Sequence, residues 1–296
     1  MIRAAQQNKK TPKQFDVPAD VDNQWCPGCG NFPILMTLKK ALTEAGCTPT
    51  NTTFVSGIGQ AAKTPQYMNS HFFNGLHGRA LPVATGIKAA NPNLNVIVAS
   101  GDGDVYGEGA GHLIHTIRRN PNITVIVHDN MIYGLTKGQA APTSQKGLVT
   151  PTQPRGVYDD PINPLTLAIS LDAPFVARAN AGDPKQAQEI ITAAINHKGF
   201  SLVDIFQACV VFNKKNTYQW FNEHSYTLGP DHDATDRNQA FARASEEDSF
   251  PLGILYQHDR RDVFEDMVGV YDDDDRPLYK RETNQDIIQA LLSTRR

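Results

Sequence analysis

The sequence predicts an α/β fold, a parallel sheet covered by helices on both faces, followed by an irregular C-terminal extension. Three observations carry that prediction. Runs such as TTFVS and NVIVAS are apolar on both faces, they alternate with segments of helical apolar spacing, and two of them lead straight into glycine-rich turns. Strands buried on both sides and separated by helices belong to parallel sheets, because each crossover lays a helix on a sheet face.

The elements follow in order. Residues 1–20, MIRAAQQNKKTPKQFDVPAD, are polar, lack the apolar stretch of a signal peptide, and read as an extended arm. Residues 34–45 have helical spacing and stop at Gly46. Residues 52–59, TTFVSGIG, and 95–104, NVIVASGDGD, are strands ending in turns; 107–119 fits a helix, and 123–128, ITVIVH, is a third strand followed by DNMIYG. Residues 137–164 are loop-like, with Pro142, Pro151, Pro154, Pro161 and Gly147. A loop of this length in a compact domain is usually functional. The alternation resumes with a helix over 165–173, a strand over 174–179, a helix over 184–197 and a last strand over 200–209. One domain over 21–212 results. Residues 213–296, polar and irregular in composition, read as an extension covering a partner or the site, and Asp272, Asp273, Asp274 and Asp275 as a solvated acidic loop.

The bulk composition excludes several classes. A net charge of −3 and a pI near 6.3 give no basic excess for nucleic acid, and no run approaches the length of uncharged apolar chain that spans a membrane. Four cysteines in 296 residues, two of them close in sequence, do not make a disulfide scaffold, which points to the reducing cytoplasm.

In a parallel sheet, ligands bind where strands end and helices begin. SGDGD and HDNMIYG lie at two such ends, and Asp102 and Asn130 are separated by one helix and one strand, so they fall on the same edge. A carboxylate and an amide oxygen are hard ligands suited to Mg²⁺, which binds few protein groups and completes its octahedron with phosphate oxygens and water. Asp102, Asn130 and a backbone carbonyl near Ile132 would leave positions for a diphosphate, and the glycines at 101, 103, 107, 109 and 111 let backbone N–H groups approach it.

The Gly-Asp-Gly…Asn pattern resembles that of thiamine diphosphate enzymes. The segments WCPGCG, VSGIG, LHGRALPVATGIK, GDGD, DN and IYGLTKGQ…PTS, in that order, resemble the β subunit of the 2-oxoacid:ferredoxin oxidoreductases, over most of the chain to about residue 212. The resemblance implies the thiamine diphosphate-binding fold, with thiamine diphosphate, Mg²⁺ and one [4Fe–4S] cluster. It implies a separate α subunit and oxidative decarboxylation of a 2-oxoacid to acyl-CoA and CO₂, reversible in some members, with electrons passing to ferredoxin. It further implies Mg²⁺ ligation by Asp102, Asn130 and Ile132, and cofactor contacts from Ile58, Gly59, Gln60, Ala61, His77, Gly103, Asp104, Gly134 and Leu135. The IYGLTKGQ form looks more like the 2-oxoglutarate branch than the pyruvate branch.

His77 is a candidate hydrogen-bond donor where charge builds, against a bland reading as a turn histidine. Arg79 could pair with a carboxylate and Lys137 could neutralise an anion, each against the reading of a surface residue. His112 and His115, three apart on a helix, read as packing residues, and the resemblance assigns the acid that binds the aminopyrimidine to the partner rather than to Glu108.

Cys26, Cys29 and Cys209 match three of the family's cluster ligands, but the fourth, expected after Gly59, is Gln60 here. Cys47 precedes the strand that the expected ligand follows, on the order of 25 Å away along it; it reads as a buried structural thiol. Three explanations stay open: a cluster completed by another residue, the partner or solvent; a lost cluster, with CPGC a structural turn or zinc half-site; or an unforeseen route for Cys47. The rival functions are a cluster-free thiamine diphosphate decarboxylase or carboligase and a non-catalytic iron–sulfur or zinc scaffold.

Overall fold

The computed structural model describes residues 11–247 and 249–295; the first half of the N-terminal arm lies outside them. In chain order the elements are α1 (Asn31–Glu44), β1 (Thr52–Ser56), β2 (His71–Asn74), α2 (Ala80–Ala90), β3 (Asn95–Gly101), α3 (Ala110–Arg119), β4 (Ile123–Asp129), α4 (Pro164–Ser170), β5 (Phe175–Asn180), α5 (Pro184–Asn196), β6 (Ser201–Phe206), α6 (Tyr218–Glu223), β7 (Ser225–Thr227), α7 (Arg237–Ala244), β8 (Phe250–Gln257), α8 (Phe264–Met267) and α9 (Gln285–Ser293). The strands form one sheet in the order β2-β1-β3-β4-β6-β5-β8-β7. All pairs are parallel except β5 with β8.

Alternation along the strands feeds two cores. Phe54, Ile97, Ile126 and Val203 face α1 and α5, while Val55, Val98, Val125 and Leu202 face α2, α3, α4 and α7. Because both faces are covered, β4 and β6 are buried along their whole length and carry apolar residues on both faces, with Thr124, His128, Asp129, Ser201 and Asp204 as buried polar exceptions.

Parallel register lines up the carboxyl ends. Gly101 pairs with His128, and Asp129 with Phe206, so Asp102, Asp129 and Gln207 gather at one rim. A π-helical turn, Gly103–Glu108, separates β3 from α3, so the helix starts later than its apolar spacing suggests. Such insertions are frequent at functional sites.

The structure corrects the reading of residues 213–296 as an irregular extension. β8 joins the sheet antiparallel to β5, with a bulge between Val176 and Ala177, and Leu255 and Tyr256 are fully buried. α7 adds Ala240 and Ala244 to the core. The sheet therefore runs on to Gln257, and the polar average of the region concealed one apolar strand, FPLGILYQ. β2 also escaped the sequence reading, because all four of its residues are exposed at the sheet edge and carry no buried pattern. Beyond the sheet, α8 is tied back through Glu265, which accepts from the Asn122 N–H. In the acidic loop, Asp274 is held by Arg276 and Arg281, which keep its carboxyl down at about 2.

Candidate cofactor and metal site

Asp102 is buried at the end of β3, and Thr143, brought back by the long loop, donates to its Oδ2 at 2.5 Å. Burial pushes the Asp102 carboxyl up to about 6, with Asp204 adding repulsion. Asp129 lies beside it and is raised well above the usual range by burial and by Asp204 and Asp102. Arg178 is committed to Asp204 at 3.0 Å, and the Tyr106 hydroxyl donates to the same carboxylate at 2.9 Å. Two buried carboxyls driven toward protonation form a site that a divalent ion would stabilise, since its charge reverses the desolvation cost. The donor set therefore fits magnesium.

Asp104, two residues on, accepts four hydrogen bonds. Oδ1 takes the N–H groups of Ile58 (3.0 Å) and Gly78 (2.8 Å) and Nδ1 of His77 (2.6 Å), and Oδ2 takes the Ser100 hydroxyl (2.7 Å). Its side chain is thus a bracket that ties the Gly-Ile-Gly loop to the His77 turn, rather than a group aimed at a diphosphate. Gly57 makes this approach possible, because a Cβ there would lie 2.2 Å from Asp104 Oδ2. A carboxylate only accepts, so His77 carries its proton on Nδ1 and presents Nε2 near Glu108, 3.7 Å away.

Asn130 caps its own turn, with Oδ1 accepting from the Ile132 N–H at 3.0 Å, and Met131 at φ +55° makes the bend. The turn is braced by Asn213, which donates to the Asn130 carbonyl at 3.0 Å, and by the Ser144 hydroxyl, which donates to the Met131 carbonyl at 2.5 Å. The Tyr133 ring lies against the glycine loop, where a Cβ on Gly103 would lie 2.1 Å from it. Its hydroxyl is within reach of the Gly103 carbonyl (3.2 Å) and Glu108 (3.0 Å).

Asp102, Asn130 and Ile132 line one cavity of about 80 Å³ together with Ile58, Gly59, Gln60, Ala61, His77, Gly103, Asp104, Gly134 and Leu135. The space suits the diphosphate end of a cofactor and lies open at Ile58 and Leu135, which are exposed. Arg79 and Lys137 do not line it. Arg79 is exposed at the start of α2 near His112, and Lys137 is exposed at φ +76° beyond the turn. Asp129, Thr143 and Tyr133 are site residues that sequence reasoning missed. A larger cavity of about 530 Å³ adjoins on the far side of Asp129 and Thr143, walled by Arg178, Phe206 and Phe250.

Cys26, Cys29, Cys209 and Gln60 line a third cavity, of about 30 Å³, that shares Gln60, Asn130 and Gly134 with the first. Gly30 lets the CPGC turn close on β6: its N–H donates to the Ala208 carbonyl at 3.1 Å, and a Cβ there would lie 2.7 Å from Gln207. Burial pushes the Cys29 thiol up to about 11, against a bond from the Asn31 N–H and with Cys209 and Cys26 adding repulsion; the Gln207 amide donates to its sulfur at 3.4 Å. Gln60 Oε1, Gln207 Oε1 and Asn31 Nδ2 are buried without partners. Each such atom costs about 1–3 kcal/mol; beside the three thiols the Asn31 side-chain N–H can donate to a cluster's sulfur, while the two oxygens, which only accept, suit iron or a donor but not sulfur. Among the described residues no three His, Cys, Asp or Glu side chains close on a single ion; cluster thiolates bind separate irons and stand wider apart. Cys47 sits in the core beside α1, before β1, as a structural thiol should.

Comparison with known proteins gives the family. The family described as "Thiamine pyrophosphate enzyme, C-terminal TPP binding domain" matches residues 45–205, and the family of the C-terminal part of the pyruvate ferredoxin oxidoreductase beta subunit matches 209–273. The chain is 43% identical over 261 residues, 83% of either chain, to the 2-oxoacid:ferredoxin oxidoreductase 2 subunit beta of Aeropyrum pernix. It is 45% identical over 201 residues, 68% of this chain and 54% of the other, to the 2-oxoglutarate oxidoreductase subunit KorB of Mycobacterium tuberculosis. Among solved structures, the 2-oxoglutarate:ferredoxin oxidoreductase from Magnetococcus marinus, with 2-oxoglutarate, coenzyme A and succinyl-CoA bound, superposes with a TM-score of 0.89 at 35% identity over 99% of both chains.

Proposed function

The chain belongs to the β subunits of the 2-oxoacid:ferredoxin oxidoreductases, and from that premise we propose that it acts on 2-oxoglutarate, holding thiamine diphosphate, Mg²⁺ and a [4Fe–4S] cluster. The 2-oxoglutarate names of its KorB relatives and of the solved structure support the substrate. The observation that carries the reading is the meeting of Asp102, Asn130 and Ile132 with the Gly-Ile-Gly and Gly-Asp-Gly loops around one cavity.

Thiamine diphosphate, when bound, supplies a carbanion for attack on the keto carbon and a sink for the electron pair freed with CO₂. The chain's residues do the rest. Asp102, Asn130 and the Ile132 carbonyl would hold Mg²⁺, whose charge would neutralise the diphosphate. His77, fixed by Asp104 with Nε2 at the cavity, moves a proton where charge develops. Gln60 and Gly134 border both this cavity and that of Cys26, Cys29 and Cys209, the thiols that would hold a cluster supplying one-electron transfer toward ferredoxin, with CoA as the acyl acceptor. The open side, where Phe72 and Phe73 on β2 and Leu76 beside His77 are exposed, is closed by an α subunit. Among the described residues no helix is long and apolar enough to cross a membrane. The reducing cytoplasm suits a thiolate-bound cluster.

Purified with its α subunit, the enzyme should reduce a low-potential dye in a CoA-dependent reaction with 2-oxoglutarate, at least tenfold faster per kcat/KM than with pyruvate. Dye reduction with no 2-oxoacid would overturn the assignment. Gln60 in place of a cysteine favours one second reading, a cluster-free decarboxylase; iron and sulfide at background with CO₂ release intact would establish it.

A further inference from the structure

The residue that breaks the family pattern lies at the place where a fourth cluster ligand is needed. Gln60 lines the cavity of Cys26, Cys29 and Cys209. Gln60 Cγ and Cys209 Sγ lie 3.9 and 4.0 Å from the position of a Cβ on Gly134, so the amide and the thiol flank one glycine. Trp25 pins the Gln60 backbone by donating from Nε1 to its carbonyl at 2.8 Å. The side-chain oxygen, Oε1, is buried and accepts no hydrogen bond. Gln207 and Asn31, both 1% exposed, also have unpartnered polar atoms in this pocket. Buried polar atoms without partners call for a ligand or ion. Cys47, in the core before β1, has no access.

We propose that Oε1 of Gln60 is the fourth ligand of the cluster. This rests on the cluster reading above and names the residue which completes it. Three irons have thiolates; the fourth has a neutral, hard amide oxygen, which matches soft iron–sulfur iron poorly. Replacing a thiolate by a neutral oxygen also leaves the assembly one unit less negative, and net charge sets cluster potential. That iron is therefore chemically distinct and more easily lost, and its ligand Gln60 borders both cavities.

The test uses the αβ complex purified without oxygen, comparing wild type with Gln60→Cys and Gln60→Ala by iron and sulfide content, Mössbauer spectroscopy and EPR. The wild type should hold four irons and four sulfides per chain, with one iron in four giving a separate Mössbauer doublet. One equivalent of ferricyanide should take one electron from [4Fe–4S]²⁺ as one Fe²⁺ leaves, giving the EPR signal of [3Fe–4S]⁺. Gln60→Cys should abolish the separate doublet and keep all four irons under the same oxidation. Gln60→Ala should lose the fourth iron at least tenfold faster than wild type. Four equivalent irons in the wild type, or an alanine variant with unchanged iron loss, would overturn the proposal while leaving the cluster standing. Iron at background in wild type and Gln60→Cys alike would overturn the proposal together with the cluster reading beneath it.

Discussion

Removing the Asp104 carboxylate should unlatch the loops that form the site. Its four donors are the Ile58 and Gly78 N–H groups, His77 Nδ1 and the Ser100 hydroxyl. Gly78 and Ser100 are buried, so Asp104→Ala strands two donors away from water at about 1–3 kcal/mol each. The two half-exposed donors recover part of their loss through solvent. The total is about 3–5 kcal/mol, a large share of a domain's stability. Gly57→Ala should reach similar damage by a different route, since its methyl would occupy the space of Asp104 Oδ2. Asp104→Asn keeps an acceptor for the Oδ1 donors, and the Ser100 hydroxyl can turn to accept, so it should recover more than half of the loss. Urea unfolding of the three variants reads this as shifts in midpoint at constant slope. An alanine variant within about 1 kcal/mol of wild type, or an asparagine variant as damaged as alanine, would refute the bracket reasoning.

Arg178→Met should cost about 3–5 kcal/mol, because it leaves Asp204 buried and unpaired; adding Asp204→Asn should restore more than half. If the double variant is no better than the single, the pair does not carry the charge of this core. His197, whose Nε2 is buried without a partner, is held below the usual imidazole range by burial and then by His258. The unfolded chain takes up a proton near pH 6.5 that the folded chain refuses, so this group's stabilisation is complete above about 6.5 and is lost on acidification. The stability of wild type minus that of His197→Gln should thus be larger at pH 7.5 than at pH 5.5; a constant difference would contradict the burial argument. Thr143→Val removes the hydroxyl that orients Asp102 and should weaken Mg²⁺-dependent cofactor binding roughly 10–100-fold, as read by titration calorimetry; unchanged affinity would show that Asp102 needs no such support.

Much of the sheet was legible because β1, β3, β4, β5 and β6 are apolar on both faces and end in recognisable turns, a pattern that burial imposes directly. The rim was legible for the same reason: Asp102 and Asn130 sit one step past paired strands, and parallel register brings such positions together. β8 was not legible, since its pairing with β5 is long-range and its neighbourhood is polar. Thr143 and Tyr133 were missed because they reach the site through a folded-back loop and a ring packed on glycine, neither of which has a period. Arg79 and Lys137, singled out for their charge, are exposed and line none of the three cavities. Gln60 was read from the motif as a missing thiol; only the fold shows its amide oxygen buried at the cysteines.

Calorimetric titration of thiamine diphosphate in the presence and absence of Mg²⁺, for wild type and Asp102→Ala, tests the metal-bridged cofactor most directly. Binding by the wild type should require Mg²⁺, and the variant should lose at least a hundredfold in affinity while unfolding no earlier in urea than the wild type does. Equal affinity of the two proteins, or wild-type binding indifferent to Mg²⁺, would contradict the account.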